Sequence, residues 1–304
     1  MDPLDSLLTE YEGRLARGIS REELVAFVSQ LPALHRSAAK LIQLADDPNS
    51  ELEEITATIS TDAAIASAML KLANSTGFAQ QRKVVSITHA LEVVGIRNLK
   101  TVVLAQVLTS LNRQPTQADQ LVRDHSVGTA LLVRGLAQRQ GRRDADDLFL
   151  YGMLHRLGQC VLLADARTRV MFPAVLRRVK AHHEDYVSAE LVEIGFSHPL
   201  IGALVANRWN FPGELSQVIL RQHAPFEGID NDSDFKIALV KFSSAAAHAA
   251  NLGTPDGYPD QLPLLHELGR SLGLLGSQPE AELQMLLEDL HAMFTQDGKV
   301  WSAS

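Results

Sequence analysis

A chain of 304 residues, 46% hydrophobic and only 5% aromatic, is long enough to bury a sizeable core as one large domain or two smaller ones. Its formal charge of −8 excludes broad, non-specific nucleic-acid binding, so DNA is not expected as a partner, and no run approaches the ~18 to 20 apolar residues of a membrane span. The single cysteine, Cys160, excludes an internal disulfide; with the acidic start Met1-Asp2-Pro3-Leu4-Asp5, which lacks the regions of a signal peptide, it points to a cytoplasmic protein.

Apolar residues recur at helical spacing along nearly the whole chain. Two short amphipathic segments are predicted at 4–16 and 20–30, the second with Ser20 as N-cap and Glu23 completing a capping box. Leu31-Pro32 breaks the pattern, and a helix over about 34–45 stops at Asp46-Asp47-Pro48-Asn49. Ser50 with Glu53 reads as a further capping box, and Thr61 or Asp62 caps a helix at 63–73, closed by Asn74-Ser75-Thr76-Gly77. Ser86 opens a helix that Gly95 ends, and 96–111 is the most apolar helix of this half. Gln114-Pro115-Thr116-Gln117 is the best candidate boundary. Helices are then predicted at about 118–140, 145–164, 168–182, 185–194, 198–208, 212–222, 234–251, 263–275 and 278–295. No period-2 pattern, internal repeat or low-complexity run is present, so the expected fold class is all-α.

The informative stretch is Asp146 to Ala164, an apolar helical pattern that contains His155, Arg156, Gly158 and Gln159. A cation in such a helix is costly unless it is paired or reaches water, so Arg156 either snorkels to a surface or lines a polar cavity. The basic clusters Arg134, Arg139, Arg142, Arg143 and Arg167, Arg169, Arg177, Arg178, Lys180 read as solvated helix faces. Cys160, among apolar residues, reads as inert packing. Neither GxGxxG, GxxxxGK[ST] nor GxSxG occurs. Four histidines of the second half, His125, His155, His198 and His223, sit near small or polar neighbours; singly, each reads as a structural histidine.

Their order, together with motifs of the first half, resembles an HDOD-domain protein, a branch of the HD superfamily whose catalytic members are metal-dependent phosphohydrolases. The motifs are Leu31-Pro32-Ala33-Leu34, Asp46-Asp47-Pro48, Ile59-Ser60-Thr61-Asp62, Leu70-Lys71-Leu72-Ala73-Asn74-Ser75 and Val84-Val85-Ser86-Ile87 with Ala90-Leu91-Glu92-Val93-Val94-Gly95. Asp62-Ala63 stands where the family usually has Asp-Pro. The resemblance spans about residues 31–225 and implies a two-part helical fold with a degenerate HD-type core in the second half. The implied organisation is 1–30, N-terminal helices; 31–115, the N-terminal part of the HDOD domain; 116–252, the HD-like part; and 253–304, a C-terminal helical extension.

In catalytic relatives, histidines on several helices, a His-Asp pair and a final Asp hold one or two metals. By resemblance the first His corresponds to His125, the His of the pair to His155, and the later ones to His198 and His223. The Asp of the pair falls on Arg156, and the final Asp falls in Leu239–Ala245, which has no acid; Ser244 is the best alignment. Gly158-Gln159 stands where Gly-Lys is common. Hard dications want carboxylate oxygens, and Arg156 substitutes a permanent positive charge. Two like unit charges at ~4 Å repel by roughly 4 kcal/mol at an effective dielectric of ~20, and a dication doubles that. The expectation is therefore a vestigial site with no catalytic residue, no metal ligand and no cofactor, in which Arg156 and Gln159 are the candidates to receive a ligand.

The functional expectation is a non-catalytic regulatory protein of bacterial signal transduction, a pseudoenzyme that binds signalling proteins. The alternatives are a metal-dependent phosphohydrolase with an altered ligand set, and a sensor whose arginines receive a nucleotide or cyclic dinucleotide.

Overall fold

A computed structural model describes residues 21–30, 34–75, 78, 83–112 and 114–298. The helix expected at 4–16, the Ser20 cap, the Leu31-Pro32-Ala33 motif and Thr76-Gly77 lie outside the described residues. Within them the protein is all-α, and no strand occurs.

Six helices form the first half: α1 (Arg21–Ser29), α2 (Arg36–Asp46), α3 (Leu52–Ser60), α4 (Ala63–Ala73), α5 (Ile87–Val94) and α6 (Ile96–Leu111). Helix α2 packs on α3 and α6, and α4 on α5 and α6, so the apolar α6 forms the spine of this half. Local chemistry sets the starts of these helices. Asp62 accepts from the amides of Ala64 and Ile65 to cap α4, and Ser86 accepts from His89 to cap α5. The Ser50–Glu53 capping box does not form. Ser50 is drawn into the preceding turn, its amide bonding Asp47 O at 3.1 Å, and Glu51 takes the cap position without a side-chain bond.

Between α5 and α6 the chain turns at Gly95, whose φ of 83° a larger residue rarely adopts. The boundary expected at 114–117 lies between α6 and α7 (Gln117–Arg139), and it starts α7 through reciprocal bonds between Thr116 and Asp119. It does not separate two cores: α6 packs against both α8 (Ala145–Leu154) and α9 (Leu157–Ala164).

The helix expected at 145–164 is therefore two helices, broken at His155-Arg156, where Arg156 has φ −102° and ψ 20°. The Gln222 amide donates to the His155 carbonyl at 2.5 Å, satisfying an acceptor that the break releases. The helix expected at 168–182 also divides, into a single turn α10 (Ala166–Arg169) and α11 (Phe172–His182). Helices α12 (Tyr186–Glu193), α13 (His198–Arg208), α14 (Gly213–Arg221) and α15 (Asp232–Ala249) complete the second half, with α7 central and in contact with α8 and α15. Helices α16 (Leu262–Ser271) and α17 (Pro279–Met293) follow, α16 against α15, and α17 against α7 and α15. No single helix among the described residues is long and apolar enough to cross a membrane.

Two glycines position the site. Helix α9 crosses α13 with Gly158 against Gly202; a Cβ on Gly158 would lie 1.9 Å from the His198 carbonyl oxygen. Gly253, with φ 61°, brings its loop onto α7, where a Cβ would lie 2.5 Å from the His125 amide nitrogen. Gly158→Ala is expected to cost roughly 3 kcal/mol, because backbone rather than side chain must move. Gly213→Ala, with nothing within 4 Å, is expected to be neutral or slightly stabilising. Chemical denaturation of both variants measures the contrast.

Candidate functional site

The second half brings the expected residues together. His125 comes from α7, His155 and Arg156 from the α8–α9 break, His198 from the first turn of α13, His223 from just beyond α14, and Ser244 from α15. His248, one turn beyond Ser244, joins them. The His125 ring lies 4.0 Å from that of His248 and 5.3 Å from that of His155, while His198 and His223 meet at 5.0 Å.

Hydrogen-bond partners assign a common tautomer to four of these rings. His125 Nδ1 donates to Leu252 O, His155 Nδ1 to Gly152 O, His198 Nδ1 to Glu190 Oε2, and His248 Nδ1 to Thr254 Oγ1. Each Nε2 is therefore left with a lone pair. Ser244 Oγ supplies the proton to His125 at 2.9 Å, His223 Nε2 to His198 at 3.2 Å, and Arg156 Nη2 to His248 at 2.7 Å. The fourth lone pair, on His155 Nε2, has no partner.

Arg156 is 1% exposed, so it does not snorkel. Its Nη1 donates to Gln159 Oε1 at 2.8 Å, and its guanidinium lies 5.0 Å from the centre of the Tyr186 ring. Gln159 in turn donates to Glu190 Oε1 at 2.8 Å. Glu190 Oε2 accepts from both the amide and the ring of His198, each at 2.7 Å. One amide thus relays between a buried guanidinium and a buried carboxyl. Tyr258 closes the arrangement from outside, stacked at 3.8 Å on His248.

Burial pushes all five histidines, His125, His155, His198, His223 and His248, well below the ordinary range. The charge of Arg156 adds to this; for His223 the neighbouring His198 adds more. Glu190 is pushed up by burial to about 8, against the opposing pull of its donors and of Arg156.

A metal does not fit these residues. The carboxylates a hard dication needs are missing from the His155-Arg156 pair and from the 239–245 stretch of α15, and a guanidinium holds the lone pair of His248. No group of three His, Cys, Asp or Glu side chains among the described residues has an arrangement that holds a metal ion. With Gln159 fully buried and Arg156 nearly so, both donor sets point inward. The open surface of the site is instead a cleft of about 610 Å³ over His223, Ser244, His248, Lys241 and Tyr258.

Three residues of the centre escaped the sequence reading. His248 follows Ser244 by four residues and shares its helix face, a signal that spacing carries. Glu190 follows Tyr186 by the same interval, but nothing local marks it as buried. Tyr258 belongs to the segment after 252, expected to be an extension apart from the site.

Five members of the basic clusters are ion-paired. Arg142 binds Asp144 and Asp232, Arg178 binds Glu184, Arg167 binds Asp165, Arg139 binds Asp289 and Lys180 binds Asp256. Arg134 lies 4.7 Å from the centre of the Phe149 ring. Burial pushes the Cys160 thiol up to about 12, as expected for a packing residue.

The sequence profile of the HDOD domain matches residues 31–225. An uncharacterized protein of Treponema pallidum is 26% identical over 210 residues, which cover 64% of this chain and 38% of that protein. A crystal structure of an HDOD domain protein of unknown function from Geobacter sulfurreducens superposes with a TM-score of 0.70 at 20% identity, covering 97% of this chain and 96% of that one. A candidate phosphohydrolase from Shewanella amazonensis gives a TM-score of 0.66 at 22% identity, over 91% and 96% of the two chains. A protein from Marinobacter aquaeolei, designated a candidate for signal transduction, gives 0.71 at 19% identity, over 99% of this chain and 66% of that one.

The buried histidines make stability depend on pH. Below the unfolded-chain histidine pKa of about 6.5, unfolding takes up protons that the native rings refuse, so stability present at neutral pH is lost on acidification. Glu190, raised in the native state, has the opposite sign and releases a proton on unfolding between about pH 4.5 and 8. The five histidines outnumber this one carboxyl, so the net effect on acidification below about pH 6.5 is proton uptake on unfolding and loss of stability. Thermal unfolding between pH 7.5 and 5 is expected to show a steep fall in Tm; a flat Tm contradicts the buried, neutral histidines.

Proposed function

The chain belongs to the HDOD-domain family, and on that premise we propose that it is a non-catalytic regulatory protein that acts by binding a signalling protein. The observation that carries this reading is the position of Arg156. Its guanidinium stands where the metal-binding members of the wider superfamily are expected to have a carboxylate, and it donates to His248 Nε2 at 2.7 Å. A lone pair suited to a metal is thereby spent on a fixed cation. The fold keeps the histidines as its packed centre, and its regulatory output comes from its surface. A nucleotide partner, on this reading, meets the cleft over His223, Ser244 and Lys241 rather than Arg156.

One feature favours a second reading, a phosphohydrolase with an altered ligand set. Metal-bound histidines usually donate their outer ring N–H to a carbonyl or carboxylate, and His125, His155 and His198 do so here. The two readings separate by experiment. Untagged protein is expected to carry no stoichiometric transition metal by elemental analysis, and to hydrolyse neither phosphomonoesters nor cyclic dinucleotides with added Mn²⁺. Stoichiometric metal, or hydrolysis that disappears in His155→Ala, overturns the non-catalytic reading. The double substitution Arg156→Asp with Ser244→Asp is expected to gain metal binding by calorimetry, since the histidine orientation is already set. A thermal-shift screen with mono- and cyclic dinucleotides tests the sensor function, which predicts a rise in Tm.

A further inference from the structure

The first and second halves of the fold meet along α6, and a small cavity lies in that seam, away from the histidine centre. Leu108 of α6, Val122 of α7, Met153 of α8 and Leu163 of α9 give it apolar walls. Its free space is about 40 Å³, with a shallow mouth to solvent. Two polar side chains of α7, one turn apart, line it as well: Arg123 and Ser126.

Neither is satisfied by the protein. Ser126 is 4% exposed, and its hydroxyl has no hydrogen-bond partner. The Arg123 Nε is buried without a partner. The acid of the wall, Asp119, is committed elsewhere: Oδ1 accepts from Asn112, and Oδ2 from the amide and hydroxyl of Thr116. The neighbouring cation Arg169 is also committed, to Asn112 and Gln114. A buried guanidinium nitrogen and a buried hydroxyl without partners each cost free energy that a bound acceptor recovers.

We propose that this seam binds a short-chain monocarboxylate of about two to three carbons. The carboxylate accepts from Arg123 and Ser126, and the alkyl group lies among Leu108, Met153 and Leu163. The charge follows from a single uncommitted cation beside Asp119, which favours a monoanion over a phosphate dianion. The length follows from the cavity: at ~10 to 15 Å³ per water position, a space of about 40 Å³ admits about three to four water-sized groups in all, headgroup included. Because the walls come from both halves, the bound acid bridges α6 to α7–α9.

The experiment uses the full chain, with propanoate, propan-1-ol and propylamine titrated by calorimetry. Propanoate is expected to bind saturably at one site, with propan-1-ol weaker and propylamine silent. Arg123→Gln is expected to weaken propanoate at least tenfold and leave propan-1-ol unchanged. Ser126→Ala weakens propanoate about threefold, and Ala105→Leu, which fills the cavity, abolishes both. The proposal is overturned if propanoate does not bind, if Arg123→Gln or Ala105→Leu binds it as tightly as the unchanged protein, or if propylamine binds equally well.

Discussion

A guanidinium buried to 1% exposure is the constraint around which the second half is arranged. Taking such a charge from water costs several kcal/mol even after the protein relaxes, so its neighbours must supply acceptors. They do so through a single chain of bonds: His248 to Arg156, Arg156 to Gln159, Gln159 to Glu190, Glu190 to His198, and His198 to His223. Four helices, the break between α8 and α9 and the turn after α14 contribute to it. The helix break at His155-Arg156, the glycine crossing of α9 on α13 and the return of the Gly253–Tyr258 loop all serve to close it.

This chain also explains how a site with so many histidines is unsuited to metal. Orientation is not the obstacle, since three of the rings donate outward to carbonyl or carboxylate and turn their Nε2 atoms inward. The obstacle is charge and occupancy. The permanent cation among those rings repels a metal ion and takes one lone pair directly. Glu190, the one carboxyl of the centre, lies behind Gln159 and His198 and accepts from both.

Much of this was legible in the sequence, and for a definable reason. His125, His155, His198, His223 and Ser244 are grouped by the resemblance to the HDOD family, and each lies on or beside a helix whose apolar pattern is local. The single helix expected across Asp146–Ala164 was wrong because its interruption depends on partners far away in sequence: Gln222, which takes the His155 carbonyl, and Gly202, against which Gly158 crosses. Glu190 and Tyr258 were missed for the same reason, since their roles exist only after tertiary contact. Ser50 failed as a cap because a competing turn at Asp47 claimed its backbone.

If the relayed pair of Arg156 and Glu190 is what the centre depends on, the two side chains must be energetically coupled although they never touch. A double-mutant cycle on unfolding free energy, with Arg156→Met, Glu190→Gln and the pair combined, measures that coupling. Each single change leaves buried polar groups without their partners and is expected to cost about 1 to 3 kcal/mol. The double change is expected to cost at least about 1 kcal/mol less than the sum. Strict additivity would contradict the account.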